Sequence, residues 1–443
     1  MPPRRPPILS IVGPNDGGEG GVDPLALQPT CDRLAEHILS PLTLSMQRPR
    51  FITAMAVGAR VCSVFDDDEL AADGVTPPWQ VFEWYVAEAL VRRTSDLAHE
   101  ESGALHGVAR LEAALRNQRP LRSPQCIRKP KVFGFSRIYK AAAVGLRILT
   151  QDFCLDEGGY ELLRAWELDQ ELTGFVDGSF GAGARLRAEL ARAVERGMTA
   201  GHTVAPRSDF YRHIARIFWL STIGPRESGV LHERLRRTEG LPSSGDPVAA
   251  QMRRELVDAL ERRGQPVAPA DESAFLREVR PSASPELARR LDAIDAYEQL
   301  CRPIEHTFTL MRHLATGRGA IRASDFAAHD GTRALAERVR RAAASVSDDR
   351  ALIDWAPEVQ HLAERFSPVR DAASLFEVAL ERHEEARRHE PDGRRPWVER
   401  TTDGRVLVPD PYAVPEPPSE PTDYVHNYRT PILSRFLADL GRI

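Results

Sequence analysis

One segment of this 443-residue chain is apolar around the whole circumference of a helix. It runs from Phe51 to Phe65, and apart from a few small residues only Arg60 and Ser63 interrupt it. A helix without a polar face is buried on all sides, so other elements have to surround this one. Because the segment is shorter than the ~20 residues of a membrane helix, we predict a core helix in a cytoplasmic protein without a membrane partner.

Much of the remaining sequence has the three- and four-residue spacing of apolar side chains that predicts amphipathic helices. After Phe180, arginine- and glutamate-rich segments of ~12–25 residues carry charges on one face and Ala, Leu and Val on the other. Segments 184–196 and 334–344 are examples. We interpret these charged runs as solvated helix faces.

The C-terminal region departs from this helical pattern. Residues 397–408 place Asp403 and Gly404 between two strand-like runs, which predicts a β-hairpin with a type I′ turn. Residues 409–421 hold six prolines, so this stretch is extended. We expect it to form a strap along the protein's own surface, and the alternative is a ligand for a proline-recognition domain.

Cysteine and histidine spacing predicts neither a metal site nor a catalytic signature. The five cysteines are widely spaced and none is in a Cys-x-x-Cys pair, which favours reduced thiols. We therefore predict no metal, no cofactor and no catalytic residue. One alternative function for the chain is a hydrolase that uses a cluster of histidines and carboxylates. Its candidate residues are His202, Asp209 and His213, or Glu305, His306 and His313.

The charge of the chain is strongly segregated. Residues 113–151 contain nine arginines and lysines and no acid. Since the whole chain has a net charge of -5 and this window has +9, the remainder has -14. All three lysines of the chain lie in the window, at Lys129, Lys131 and Lys140. Clustered cations are typical of a surface that neutralises phosphates. The alternatives are that this surface docks on an acidic protein partner or on the acidic remainder of the chain itself.

A short amphipathic helix is predicted inside this window. Ser136 is a favourable N-cap residue for a helix from Arg137 to Leu149. Arg137, Lys140, Val144 and Arg147 are spaced by three, four and three residues, which places them on one basic face. Further arginines and lysines precede the helix. The candidate nucleic-acid-binding residues are Arg122, Arg128, Lys129, Lys131, Ser136, Arg137, Lys140 and Arg147.

The sequence after this helix carries a family resemblance. Its characteristic positions are Leu155, Asp156, Gly159, Leu162 and Leu163. The run resembles the end of a winged-helix domain in MarR-like regulators, where a wing strand leads into a Leu-Thr-x-x-Gly-x-x-Leu-Leu helix. The resemblance covers roughly residues 77–170. It implies that 137–149 is a recognition helix for the major groove of DNA and that residues 151–154 are the wing tip.

A more general resemblance links the chain to large helical proteins of bacterial anti-phage defence islands. It rests on residues 133–166 and 424–440. It implies an accessory factor that works beside an ATPase or a nuclease.

These observations predict a mainly α protein, with a winged-helix-like N-terminal module, a multi-helix domain and a small C-terminal β-hairpin. The predicted divisions are a disordered tail (1–22), a helical domain with the winged-helix-like module (23–175), a helical domain (184–393), and the hairpin, strap and terminal helix (394–443). The predicted function is non-catalytic DNA binding as one subunit of a bacterial assembly. The alternative is a docking subunit whose winged helix binds a partner protein.

Overall fold

The protein is mainly helical, with one small antiparallel sheet near its C-terminus, as predicted. The computed structural model describes residues 23–66, 68–94, 108–117, 119–121, 135–207, 209–219, 223–237, 247–388 and 396–443. The chain forms two compact units, each made of two stretches of sequence. The first unit comprises Met1–Ile38 and Ala268–Tyr428, and the second comprises Leu39–Val267 and Arg429–Ile443. None of the described helices has the length and apolar character needed to cross a membrane.

The α-helices of the second unit come from both of its stretches of sequence. They are α2 (Arg50–Cys62), α3 (Pro78–Thr94), α4 (Val108–Arg116), α5 (Ser136–Gly145), α6 (Glu157–Asp169), α7 (Ala182–Ala200), α8 (Phe210–Ile217), α9 (Pro225–Arg236), α10 (Pro247–Arg263) and α18 (Thr430–Asp439).

The first unit contains the remaining helices and the sheet. The helices are α1 (Gln28–Leu39), of which Leu39 is counted with the second unit, α11 (Glu272–Val279), α12 (Pro285–Arg318), α13 (Ala323–Ala327), α14 (Thr332–Asp348), α15 (Arg350–Trp355), α16 (Glu358–Phe366) and α17 (Ala372–Arg388). The strands are β1 (Glu399–Arg400) and β2 (Val406–Leu407).

Helix α2 is the core helix of the second unit, which confirms the prediction from its apolar segment. All of its residues except Arg60 and Cys62 are buried. Helices α3, α5, α6 and α7 pack around it, and they supply the apolar surface that a helix without a polar face requires. The elements that carry the predicted basic surface are therefore held directly against α2.

A buried ion pair ties α2 to α9. Arg50 and Glu227 have fully buried side chains and contact each other, and the Thr53 hydroxyl donates a hydrogen bond of 2.6 Å to the same carboxylate. The Arg50 guanidinium also donates to the carbonyl oxygen of Ile217. Because Arg50 begins α2 and Glu227 is in the first turn of α9, this contact joins the starts of the two helices. Removing either partner would leave an uncompensated buried charge.

The proline-rich stretch of the first unit lies along α12, as predicted for a strap. The Arg312 guanidinium donates a 2.6 Å hydrogen bond to the carbonyl oxygen of Tyr412. The Val414 N–H donates to the Thr316 hydroxyl at 3.0 Å. These two backbone groups of the strap are therefore satisfied by α12 side chains. The start of the strap, Asp410–Tyr412, is a 3-10 helix, so the prediction of an extended chain is wrong for these residues.

The C-terminal hairpin is present, but the predicted type I′ turn is wrong. Strands β1 and β2 pair antiparallel, with Arg400 opposite Val406. Of the two predicted turn residues only Gly404 has positive φ, at 80°, whereas a type I′ turn requires positive φ at Asp403 also. The Gly404 N–H donates to the carbonyl of Thr401, and the Thr401 N–H donates to that of Arg405, as in a type I turn followed by a glycine bulge.

Candidate nucleic-acid interface

The N-terminus of α5 is set by a buried carboxylate, and the prediction that Ser136 caps this helix is wrong. Ser136 is the first helical residue, and the N-cap residue before it is Phe135, whose own side chain makes no capping hydrogen bond. Ser136 is 2% exposed, and its backbone N–H donates a 2.9 Å hydrogen bond to Glu83 Oε1 on α3. A carboxylate at a helix N-terminus satisfies the same unpaired donors that a serine cap would satisfy. Burial raises the pKa of Glu83 to about 7, against the lowering effect of the hydrogen bonds from Ser136 and Phe135.

Helix α5 is shorter than predicted, so its basic face is smaller. It ends at Gly145 rather than Leu149. Val144 is buried in spite of its predicted place on the basic face. Arg147 lies beyond the helix, with φ of 57°. The predicted face of Arg137, Lys140, Val144 and Arg147 is therefore wrong for its last two members.

Arg147 is neutralised by the start of α6. Its guanidinium lies 3.1 Å from the Asp156 carboxylate and 3.7 Å from that of Glu157. The hydrogen bond from Arg147 to Asp156 lowers the pKa of the Asp156 carboxyl group. The Asp156 carboxylate also accepts the N–H of Glu157 as the N-cap of α6. Arg147 thus stabilises the junction between α5 and α6 and is not a free cation.

The turn between α5 and α6 engages Lys140. Leu149 and Leu155 form an isolated antiparallel bridge, in the segment predicted as a wing. Lys140 Nζ lies 5.2 Å from the ring centroid of Phe153 at the tip of this turn. The Phe153 ring stacks on Trp79, with centroids 4.2 Å apart. Arg137 is exposed, so α5 offers solvent one fully exposed cation and one cation placed over an aromatic ring.

Half of the predicted site cannot be placed beside these residues. Arg122, Arg128, Lys129 and Lys131 lie outside the described residues. The structure therefore locates Ser136, Arg137, Lys140 and Arg147 from the predicted set, and it brings only Arg137 and Lys140 to the surface of α5.

A second basic surface, which the sequence analysis did not select, lies in the same unit. Two adjoining cavities of about 1020 and 720 Å³ share His213 and Arg216 in their walls. Helices α7 and α8 supply most of the lining. We call these cavities the arginine groove, defined by Arg185, Arg192, Arg196, Arg207, Arg212 and Arg216.

Helical spacing aligns the arginines of this groove. Arg185, Arg192 and Arg196 are seven and four residues apart, so they lie within about 40° of one another around α7. Their positions extend over about 16 Å of the helix axis at 1.5 Å per residue. Arg212 and Arg216 are likewise four residues apart on α8. The groove is therefore edged by two short rows of guanidinium groups.

The opposite faces of α7 and α8 hold these rows in place. Leu190 and Val194 of α7, and Ile214 of α8, are buried in the second unit. Both helices pack on α3. Gly197 permits a close approach, because a Cβ atom there would lie 2.6 Å from the side chain of Val81 on α3. The arginine rows thus stand on packed helices rather than on loops.

Five of the six groove arginines have no carboxylate partner in the described part of the chain. They are Arg185, Arg192, Arg196, Arg212 and Arg216. The sixth, Arg207, lies 2.8 Å from Glu189 and 3.0 Å from Asp209. All six residues are exposed. Unpaired guanidinium groups at this density favour an anionic ligand, because they repel one another when no anion is present.

The groove also contains acids, but two of the three that line the larger cavity are already bonded. Glu189 is paired with Arg207, and Asp169 accepts the N–H of Glu227 and pairs with Arg226. The third acid is Glu171. His213 is half-buried, and burial followed by the charge of Arg216 lowers its pKa. The groove histidine is therefore held towards its neutral form, and the arginines supply the positive charge.

The two histidine clusters of the alternative hydrolase have different surroundings. His213 lies in the arginine groove, and His202 Nδ1 lies 3.0 Å from the carbonyl oxygen of Thr203. On α12, His313 Nδ1 is 2.9 Å from the carbonyl of Val414 in the strap. Across the described ranges, no three His, Cys, Asp or Glu side chains are grouped to hold a metal ion.

Comparison of the whole chain with protein-family models, curated proteins and solved structures found no match.

Proposed function

We propose that this protein binds DNA without catalysing a reaction, and that the arginine groove contacts the phosphate backbone. The observation that carries the proposal is the set of five exposed arginines without carboxylate partners. Arginine forms bidentate hydrogen bonds with phosphate oxygens. A row of about 16 Å along α7 suits a repeated anion better than a single one, because duplex DNA carries one charge per ~1.7 Å of its axis.

The contacts available in this groove favour binding that depends little on base sequence. Phosphate contacts position a protein on DNA, whereas base edges specify the sequence. The larger cavity has no Phe, Tyr or Trp in its lining, and the Tyr211 ring in the smaller one is covered by Arg92 at 4.7 Å. The groove therefore offers no ring on which the bases of a single strand could stack, and a duplex is the expected ligand. We therefore expect sequence-independent binding to the backbone.

The α5 side would add contacts to the same duplex through Arg137 and Lys140. In this proposal, α5, the turn and α6 act as the winged-helix-like module that the sequence resembles. A binding subunit of this kind would work beside an ATPase or a nuclease in a bacterial assembly, including one for anti-phage defence.

The experiment is a salt titration with a labelled 24-base-pair duplex, followed by fluorescence anisotropy. Five phosphate contacts should weaken binding about 500-fold between 50 and 200 mM salt, since log K falls by about 0.9 per contact for each decade of salt. The triple variant Arg192→Glu, Arg196→Glu, Arg216→Glu should reduce this salt slope by about three.

The matched control reverses three exposed arginines of α14 in the first unit, as Arg333→Glu, Arg340→Glu, Arg341→Glu. It changes the net charge by the same amount and should retain nearly the original slope. Equal losses in both variants would show an effect of net charge alone. A duplex affinity that does not change with salt concentration would contradict the proposal and favour a protein-docking role.

A further inference from the structure

A pocket on another part of the second unit has a different chemistry. Its volume is about 520 Å³, and it is lined by the end of α2, the start of α3, the turn before α6 and one residue of α6. Aromatic rings and prolines make up much of its wall. They are Phe65, Pro77, Pro78, Trp79, Phe153 and Tyr160. We call it the aromatic pocket.

One exposed apolar side chain lines this pocket, and another is adjacent in sequence to residues that line it. Seven large hydrophobic residues are exposed among the described residues. Tyr160, at 46% exposed, lines the pocket, and Val64, at 67%, lies between two residues that line it. Leu70 and Val75 are on the connection from α2 to α3, whose ends line the pocket. An exposed aromatic side chain at a pocket lined by rings and prolines is the kind of apolar surface that marks an interaction site.

The rim of the aromatic pocket has a net negative charge, because two acids and one base line it. The base is Arg60, whose guanidinium is bonded to the carbonyl oxygen of Val176. The acids are Asp66 and Asp152, and Asp68 and Glu69 follow Asp66 closely in the sequence. None of these four carboxylates has a cationic partner within the described ranges. The wall residue Phe153 already has the Lys140 ammonium over its ring, so this wall accommodates cations as well as apolar groups.

One segment of the chain matches this chemistry. Residues 2–9 read Pro-Pro-Arg-Arg-Pro-Pro-Ile-Leu. Proline-rich segments form the polyproline II helix at low entropic cost, and such helices bind grooves lined by aromatic side chains. Arg4 and Arg5 are complementary in charge to Asp66 and Asp152.

We propose that the aromatic pocket binds residues 2–9 of a second copy of this chain. The prolines and Ile8 contact the rings, and Arg4 and Arg5 pair with the acidic rim. This self-association uses residues separate from the arginine groove and does not depend on DNA binding.

The test is a titration of a fluorescein-labelled peptide of residues 1–12 with the full chain, followed by anisotropy. Saturable binding is expected. Tyr160→Ala should weaken it about tenfold, because an aromatic anchor at an interface contributes at this level. The control, Phe180→Ala, alters a residue that is 79% exposed and does not line the pocket, and it should bind like the unaltered chain.

A charge exchange gives the sharper result. The double variant Asp66→Arg, Asp152→Arg should bind the natural peptide weakly and bind a peptide with Arg4→Asp, Arg5→Asp well. Restored affinity in the exchanged pair requires direct pairing and cannot come from a folding defect. Equal binding of a scrambled peptide would overturn the proposal, as would no binding.

Sedimentation of the full chain distinguishes the source of the segment. Association that rises with concentration and disappears on deletion of residues 2–9 is the expected result. If the chain's own segment filled the pocket, the labelled peptide would bind only the deletion variant, without association of copies, and the second-copy proposal would be wrong.

Discussion

Helix α5 and the arginine groove are both basic, but their cations are held differently. The window around α5 contains no acid, yet Arg147 is paired with Asp156 and Lys140 lies over Phe153. Helix α7 has glutamates among its arginines, yet Arg185, Arg192 and Arg196 have no partner among the described residues. The net charge of a sequence window is therefore a poor measure of the free charge on the folded surface.

The difference arises because ion pairs form between elements. Glu189 is four residues from Arg185, a spacing at which a helical pair is expected. In the structure Glu189 is paired with Arg207 from the loop between α7 and α8. Arg147, in contrast, is bonded to acids that lie outside its own basic window.

The first test compares the contributions of the two basic surfaces to duplex binding by reversing the charge on the α5 side. We expect Lys129→Glu, Lys131→Glu, Arg137→Glu, Lys140→Glu to weaken duplex binding about tenfold, and the groove triple variant to weaken it at least about 100-fold at low salt. Arg147 is left unaltered because it is bonded to Asp156. A gel-shift titration of both variants gives the order, and a larger loss on the α5 side would reverse our ranking of the two surfaces.

The second test concerns pH, because α5 begins at a buried acid and α7 does not. The pKa of Glu83 is raised to about 7, so the folded state holds a proton that the unfolded state has lost above about pH 4.3. Stability should therefore fall by about 3–4 kcal/mol as pH rises from about 4.3 to 7, and then level off.

Glu83→Gln should remove the contribution of Glu83 to this pH dependence, because glutamine stays neutral and keeps an acceptor for the Ser136 N–H. Urea unfolding at pH 5 and pH 8 measures it. The control is Glu195→Gln, at an exposed position of α7, which should unfold with the same pH dependence as the unaltered chain. Burial also raises the pKa of Glu305 to about 7, so part of the loss should remain in the variant. A loss as large as that of the unaltered chain would show that Glu83 does not contribute.

The smallest expected effect is the difference in the free energy of unfolding between replacing a paired arginine and replacing an unpaired one. Arg147→Ala should lower the free energy of unfolding by about 0.5–1 kcal/mol, since its ion pair is about one-third exposed. Arg192→Ala should change it by less than about 0.5 kcal/mol, as an exposed residue without a partner.

The Arg147 effect has a pH signature. The pKa of Asp156 is lowered by Arg147, so the stabilisation is present above the unfolded value near 3.9 and is lost as pH falls through the lower folded value. Thermal unfolding at pH 7 and pH 3 should show the difference between Arg147→Ala and the unaltered chain shrinking. A difference that persisted unchanged at low pH would exclude this ion pair as its cause.

Features that depend on local spacing were predicted well. The apolar segment 51–65 overlaps α2 over residues 51–62, and the helix expected after Leu155 begins at Glu157. The hairpin near Gly404 and the strap after it are both present. Each depends on side-chain periodicity or turn residues within about ten positions.

Features that depend on distant partners were not predicted. Ser136 had the chemistry of an N-cap, but Glu83, 53 positions earlier, accepts its backbone N–H. The three- and four-residue spacing that defines the basic face continues past Gly145 in the sequence and predicts a longer face. In the structure, α5 ends at Gly145. The arginine rows of α7 and α8 were visible as spacings, but mixed charges on a helix are typical of a solvated face.

By itself, the sequence determined that the chain is mainly helical, which helix forms the core of the second unit and where the hairpin lies. These follow from backbone preferences and from the apolar pattern within each segment. Only the tertiary structure decided which charges remain free, because Glu189 meets Arg207 and Arg147 meets Asp156 after the helices pack. It also placed the Trp79 ring on Phe153, across 74 positions of sequence, since contacts between distant elements depend on how those elements share one core.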